Sequence, residues 1–215
     1  MNEITAIKNR HSVRQYLDKP IEPKLITALQ EEINACNLEG KLNIQLVTGE
    51  KKAFSGLMAK YGKFSGVSNY IAIIGKGENL HERCGYYGER LVIKAQMLGL
   101  NSCWVALTYK KVPTAFKVEK GEKLVLVIAL GYGKTQGKAR KSKTAKQVSN
   151  ASELTPEWFN RGVELALLAP TAMNQQKFKI LYNNGEVTFK AGVGVCAKID
   201  LGIIKYHFNS LFASQ

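Results

Sequence analysis

The sequence lacks the long apolar run that a membrane-spanning helix requires. No stretch in its 215 residues approaches the roughly 18 consecutive apolar residues of a transmembrane candidate. The opening residues, which include Asn2, Glu3, Lys8 and Arg10, also lack the apolar core of a secretory signal. We therefore expect a cytoplasmic protein with no membrane partner.

Residues that commonly bind metals are scarce. The four cysteines are far apart, so we expect reduced thiols and not a disulfide framework. His81 and Cys84 lie one helical turn apart, but a zinc site needs about four ligands and the chain offers no second matching pair. The sequence therefore predicts no metal site.

Acidic residues are outnumbered by basic ones, 17 to 31, which gives a formal net charge of +14. Such a charge favours anionic partners, including nucleic acid, membrane surfaces and phosphorylated cofactors. The densest basic run, between Tyr132 and Ser149, contains no acid and is typical of a solvated loop. A basic RNA-binding module is one alternative, but no RRM or KH signature is present and no aromatic residue is interleaved beyond Tyr132. We expect no specific nucleic-acid partner.

The hydrophobic patterning predicts a globular α+β fold with a mostly antiparallel sheet, because helices and strands do not alternate strictly. Predicted helices cover residues 5–9, 23–40, 51–61, 80–98, 156–169 and 199–213, and predicted strands cover residues 42–47, 68–75, 101–107, 123–131, 177–183 and 186–191.

Two polar stretches are candidates for a binding site. Arg10, Ser12 and Arg14 share one side of an extended segment, and arginine forks match phosphate oxygens. The same spacing also fits a basic surface strand. Near the other end of the chain, Pro170 ends a helix, and residues 171–176 add a hydroxyl and three carboxamides before the next strand. This stretch also fits an ordinary polar loop.

Four segments resemble motifs of the FMN-dependent nitroreductase family. Residues 169–178, APTAMNQQKF, are similar to its APSxxNxQPW segment, although Lys177 and Phe178 replace the proline and tryptophan. Residues 10–16, RHSVRQY, resemble its RRSxRxF opening. Residues 99–105 and 128–132 resemble its GLGxxW strand and its ALGY segment. The resemblance implies a nitroreductase-like fold in which helices flank the sheet.

The order of these motifs is unusual for that family. In typical members the APSxxN segment follows the first long helix, but here that place holds residues 35–40, ACNLEG, and the motif appears near the end of the chain. The resemblance therefore implies two pseudo-symmetric units in one chain. Residues 1–150 would form the first unit, and residues 151–215 would form an abbreviated second unit that supplies the loop of the missing partner. A monomer or weak homodimer with one flavin site is expected.

The resemblance also implies a function. FMN would carry electrons from NAD(P)H to a nitroaromatic, a quinone or a similar small acceptor, and the alternative is a flavin-binding protein without catalysis. No catalytic acid or base is required, so none is predicted. The residues that the resemblance assigns to the flavin are Arg10, His11, Ser12, Arg14, Val105, Ala106, Leu107, Lys138, Arg140, Pro170, Thr171, Ala172, Asn174 and Gln176.

These residues would have different roles. Arg10 and Ser12 would hold the phosphate, and Lys138 and Arg140 would close over it, although Lys141 and Lys143 fit the closing role as well. Arg14 would lie near N1 and O2 of the ring, where a cation favours reduction. The backbone of residues 105–107 would meet N5 and O4, and Asn174 would reach the flavin from the second unit.

Overall fold

The structure is a computed structural model that describes residues 1–213. The chain forms two compact units. One, here called the sheet unit, contains residues 10–80 and 90–138, and the other, here called the helical unit, contains residues 1–9, 81–89 and 139–215. The boundary predicted near residue 150 separates two pseudo-symmetric units, which are not the compact units given above. That boundary stays a prediction.

A four-stranded antiparallel sheet is the centre of the sheet unit. Its strands are β1 (Gln45–Val47), β2 (Asn69–Gly75), β3 (Asn101–Val105) and β4 (Lys123–Gly131), in the order β1-β2-β4-β3. All seven residues of β2 are buried, because the continuous apolar run in this strand has both faces covered. Strand β1 is shorter than the predicted 42–47, since Leu42 makes only an isolated bridge to Gly75.

Two helices of the sheet unit have sequence-encoded limits. Helix α2 (Pro23–Gly40) begins with a proline in its first turn and ends where Lys41 adopts a left-handed conformation. Helix α3 (Leu57–Tyr61) is only part of the helix predicted for residues 51–61, because a short 3-10 turn (Lys52–Phe54) precedes it and the helix restarts after Gly56. Helix α4 (Leu80–Met97) contributes residues to both units.

The helical unit combines four further helices with a two-stranded hairpin. The helices are α1 (Glu3–Asn9), α5 (Ala145–Val148), α6 (Glu157–Leu168) and α7 (Ala197–Ala213), and the hairpin strands are β5 (Phe178–Asn183) and β6 (Glu186–Ala191). Asn184 and Gly185 both have positive φ, as the Asn-Gly hairpin signal predicts. Gly162 lets α6 approach α7 closely, because a Cβ there would lie 2.5 Å from the Phe208 ring.

His207 lies in the core of the helical unit. Its Nδ1 donates to the carbonyl of Leu165 at 3.1 Å, and its Nε2 lies 2.9 Å from Oε1 of Glu89. Both side chains are fully buried, so each satisfies the other away from water. Among the helices within residues 1–213, none has the length and hydropathy to cross a bilayer.

Candidate functional site

The Arg10–Arg14 stretch belongs to an extended segment that the sheet unit holds on several sides. The amide of Val13 donates to the carbonyl of Ser102 at 3.0 Å, and the amide of Tyr16 donates to the carbonyl of Ser65 at 2.9 Å. The amide of Ser65 donates back to the carbonyl of Arg14 at 3.0 Å. Val13 and Tyr16 are buried, which fixes the direction of the polar residues between them.

The three polar residues of this segment influence one buried thiol. Burial raises the pKa of Cys103, and the charge of Arg14, a hydrogen bond from Ser12 and the charge of Arg10 all oppose that rise. The segment also pairs with strand β3 through Ser12 and Ser102. Arg10 is buried, whereas Arg14 is exposed and has its guanidinium 5.9 Å from the centre of the Phe64 ring. The extended spacing in the sequence places Arg10, Ser12 and Arg14 on one side, and their contacts with a flavin phosphate stay predictions.

A glycine-containing turn covers the same segment. A Cβ at Gly137 would lie 2.7 Å from Cβ of His11 and 3.1 Å from the carbonyl oxygen of Ser12, so only glycine permits this approach. Asn101 holds the turn, because its Oδ1 accepts from the amide of Gly133 at 2.9 Å. Its Nδ2 also donates to Oε1 of Gln136 at 3.0 Å. The exposed Lys138 directly follows Gly137 in the chain.

Strand β3 ends at the next group of predicted site residues. Val105 is its last residue and is buried, whereas Ala106 and Leu107 lie in an exposed bend. The side chain of Leu107 is 72% exposed. The predicted strand over 101–107 therefore stops two residues early, and the bend leaves backbone groups of Ala106 and Leu107 at the surface of the sheet unit.

The polar corner at residues 169–176 follows α6 in the helical unit. The helix stops at Leu168, and Ala169 is extended because it precedes Pro170. Three residues that are not glycine then have positive φ, namely Met173, Asn174 and Gln176. Such conformations are costly and persist only where surrounding contacts fix them.

Gln176 supplies several of those contacts. Only 2% of this residue is exposed. Its Oε1 accepts from the amide of Lys143 at 2.7 Å, and its Nε2 donates to Oγ of Ser142 at 3.0 Å and to the carbonyl of Leu167 at 3.2 Å. The Nζ of Lys143 donates to the Gln176 carbonyl at 2.8 Å. Residues 140–143, here called the strap, are therefore attached to the corner.

Arg140 and Asn174 strengthen the same attachment. The Arg140 guanidinium donates to the carbonyl of Leu167 at 3.0 Å and to the carbonyl of Ala169, which is a favourable position for a cation at a helix C-terminus. Asn174 Nδ2 donates to the carbonyl of Lys141 at 2.9 Å. Arg140, Asn174 and Gln176 thus all join the strap to the corner, and their contacts with a flavin stay predictions.

Asp200 holds the corner from the first turn of α7. Both of its carboxylate oxygens accept from the amide of Ala172, at 3.0 and 3.1 Å. Burial raises the pKa of Asp200 to about 6, and the hydrogen bond from Ala172 opposes that rise. In the sequence Asp200 lies at the start of the helix predicted for residues 199–213. Its contact with a residue 28 positions earlier has no local signal.

No group of three or more potential metal-ligating His, Cys, Asp or Glu residues is assembled anywhere in the described part of the chain. Most polar groups near Cys103 and at the corner are hydrogen-bond donors. They are either positively charged side chains or amide groups. Their chemistry suits an anionic or amide-edged ligand and not a cation.

Comparison with known proteins identifies relatives of the whole chain. A family described as “Putative TM nitroreductase” matches residues 2–211. A Thermotoga maritima protein described as a “putative nitroreductase” is 24% identical, with a TM-score of 0.71, over 100% of this chain and 85% of that one. No curated protein shows significant similarity to the sequence.

Two further structures share the fold at lower identity. A Desulfovibrio desulfuricans protein, described as a nitroreductase in complex with FMN, is 17% identical with a TM-score of 0.57, over 73% of this chain and 99% of that one. A Parabacteroides distasonis protein described as an NADH dehydrogenase/NAD(P)H nitroreductase is 20% identical with a TM-score of 0.53, over 69% of this chain and 97% of that one. The predicted α+β fold with an antiparallel sheet flanked by helices is confirmed.

Proposed function

Because the chain belongs to the nitroreductase family described as “Putative TM nitroreductase”, we propose that it is an FMN-dependent oxidoreductase. It would pass electrons from NAD(P)H to a small acceptor such as a nitroaromatic or a quinone. The observation that supports this most directly is the pairing of Ser12 with Ser102, which holds the cluster of Arg10, Ser12 and Arg14 alongside strand β3 in the sheet unit.

The residues of this cluster fit a flavin phosphate. The Arg10 guanidinium and the Ser12 hydroxyl offer donors, and charge-assisted hydrogen bonds are the strongest that a phosphate receives. Gly137 lets its turn pack directly against His11 and Ser12, which fixes the position of these two residues. Lys138 is exposed beside this turn and supplies a further positive charge. We therefore assign the phosphate to Arg10, His11, Ser12 and Lys138.

The remaining residues of the sheet unit suit the ring. When bound, FMN supplies hydride and electron transfer that no amino-acid side chain provides. Arg14 is exposed and carries a permanent charge, so it would stabilise negative charge near N1 and O2. The bend at Ala106 and Leu107 offers backbone donors and acceptors to N5 and O4. No side chain of this set needs to act as an acid or a base.

The polar corner of the helical unit is the second part of the proposal, and the resemblance to the APSxxN motif supports it. The exposed parts of the corner are Met173 and Asn174, whereas Pro170 and Gln176 are buried. We propose that Thr171, Ala172 and Asn174 correspond to the flavin-contacting residues of that motif and that Pro170, Gln176 and Arg140 fix their conformation. The cytoplasmic location and the monomeric or weakly dimeric state also stay proposals.

The absorption spectrum of the purified protein tests the proposed function. After incubation with FMN and gel filtration, the protein should keep a flavin absorption band in a ratio of one flavin per chain. Anaerobic NADH or NADPH should then bleach this band, and a nitroaromatic or quinone should restore it. Retention of FMN without bleaching would identify a flavin-binding protein without catalysis. A protein that does not retain FMN at all would contradict the proposal.

A further inference from the structure

The outer face of the β5–β6 hairpin carries a cluster of lysines. In the register of the hairpin, Lys179 lies directly opposite Lys190. Lys177 precedes Lys179 by two residues, and its carbonyl accepts from the amide of Gly192 at 2.8 Å, so it continues the same ladder. Side chains two residues apart in a strand share one face. Lys177, Lys179 and Lys190, here called the basic face, therefore lie together on the solvent side.

The spacing of the basic face brings like charges close together. Residues directly opposite in an antiparallel pair have Cβ atoms about 5 Å apart, and diagonal neighbours such as Lys177 and Lys190 are about 7 Å apart. All three lysines are exposed, and within the described residues no ion pair joins any of them to a carboxylate. Like charges directly opposite each other destabilise a hairpin. A bound anion would offset that repulsion.

The strap adds a fourth ammonium group to this region. Lys143 Nζ donates to the carbonyl of Gln176 at 2.8 Å, directly before Lys177 in the chain. Lys179 Nζ is directed to the carbonyl of Gln147, at 2.8 Å. The loop after β6 lies against Lys177. A Cβ at Gly194 in this loop would be 3.3 Å from Lys177 Cδ. The ammonium groups of Lys143 and Lys179 are therefore each held by a backbone carbonyl.

Its size fits one phosphate group better than a nucleic-acid strand. Proteins that track nucleic acid contact about 6–10 phosphates or stack bases on exposed aromatic rings. The aromatic residues of the hairpin are on its opposite face, where Phe189 packs on Phe208 with ring centres 5.2 Å apart and Tyr182 packs on Trp158. A phosphate monoester carries nearly two negative charges at neutral pH and three acceptor oxygens, which three or four flexible ammonium groups can surround.

The basic face also lies next to the corner that the proposed function assigns to the flavin. Met173 is 85% exposed there, and Val193 in the loop after β6 is 94% exposed. An apolar surface beside a cationic one suits a ligand with a flat ring and a phosphate. NADPH has this character, and its 2′-phosphate is at the adenosine end, remote from the nicotinamide that must meet the flavin.

We propose that Lys177, Lys179 and Lys190 bind the 2′-phosphate of NADPH and so make NADPH the preferred electron donor. This inference rests on the proposed function, but the binding of the adenosine end can be measured without a flavin. Adenosine 2′,5′-bisphosphate and 5′-AMP differ only in the 2′-phosphate, so they are suitable probes.

Isothermal titration of the full chain with the two nucleotides tests the inference. The bisphosphate should bind at least about tenfold more tightly than 5′-AMP, as expected for one or two charge-assisted contacts. The double variant K177A/K190A should lose this difference. The matched control is Lys8→Ala, which removes an exposed lysine from α1 of the same unit and should keep it.

A second measurement uses the flavin-loaded protein. The ratio of kcat/KM for NADPH to that for NADH should fall about tenfold in K177A/K190A and stay unchanged in Lys8→Ala. Equal affinity of the wild type for both nucleotides, or an unchanged difference in the double variant, would overturn the inference. Tight binding of an oligouridylate without discrimination between the nucleotides would also overturn it and favour a nucleic-acid surface. Failure to bind FMN would contradict only the proposed function, since the titration would still decide the role of the lysines.

Discussion

Lys143 and Gln176 are joined by two hydrogen bonds that run in parallel. The backbone amide of Lys143 donates to Oε1 of Gln176 at 2.7 Å, and the Lys143 ammonium donates to the Gln176 carbonyl at 2.8 Å. Gln176 is buried and has positive φ. The strap and the corner are therefore joined by hydrogen bonds. The backbone amide of Lys143 is paired with the side chain of Gln176 and not with another strand.

We expect Gln176→Ala to lower the free energy of unfolding by about 2–3 kcal/mol, because the change leaves buried donors and acceptors without a partner. Urea denaturation measures this loss. The strap, already exposed at residues 141–143, should also be held less firmly, so trypsin should cut the native variant faster after Arg140, Lys141 or Lys143. Gln175→Ala is the control, since the Gln175 side chain is only half-buried and its amide contacts Met173 Sδ at 3.6 Å. Equal stability of the two variants would contradict the role of Gln176.

Arg10→Ala should weaken FMN binding by about ten- to a hundredfold, which corresponds to the loss of one or two charge-assisted bonds to phosphate. Riboflavin lacks the phosphate, so its affinity should change little. Titration followed by flavin fluorescence measures both affinities. Because Arg10 is buried, thermal unfolding of the free variant must be compared with that of the wild type. Equal losses for FMN and riboflavin would show that Arg10 does not bind the phosphate.

Arg14→Gln should keep FMN bound but make it harder to reduce. The Arg14 guanidinium is exposed, and in the proposed position it would stabilise the negative charge of the reduced flavin near N1 and O2. A loss of about 1.4 kcal/mol would lower the midpoint potential by about 30 mV for a two-electron couple. Spectroelectrochemical titration of the flavin-loaded variant gives this potential. An unchanged potential would remove Arg14 from the ring site.

The pH dependence of stability should change in Asp200→Asn. The pKa of Asp200 is raised from 3.8 to about 6 by burial, so the folded state holds a proton that the unfolded state has released. This group therefore stabilises the fold below about pH 4, and the contribution is lost as the pH rises to about 6, with a slope of at most about 1.4 kcal/mol per pH unit.

Asparagine has no proton to lose and keeps an oxygen that can accept from Ala172. The free energy of unfolding of the variant should not contain the pH-dependent contribution of Asp200. The variant should therefore gain stability relative to the wild type as the pH rises from about 4 to about 6. Urea denaturation at several pH values provides the comparison. Parallel pH profiles for the two proteins would exclude Asp200 as the titrating group.

Several features were set by local sequence and could be predicted from it. The apolar run of β2 requires burial on both faces, Pro170 ends α6, and Asn184-Gly185 closes the hairpin. The burial of Val13 between Ser12 and Arg14, which are less buried, also follows from strand geometry. These predictions succeeded because each depends on residues within a few positions of one another.

Only the tertiary structure decided which distant groups meet. Gln176 reads as a loop carboxamide in the sequence but is a buried partner of a strap 33 residues away. His207 pairs with Glu89 across 118 residues, and Asp200 holds Ala172 across 28. Such contacts leave no periodic or motif signal, because they depend on how helices and loops pack after each element has formed. The sequence by itself determined the elements and the family, and the packing decided which polar side chains are available to a ligand and which hold the fold together.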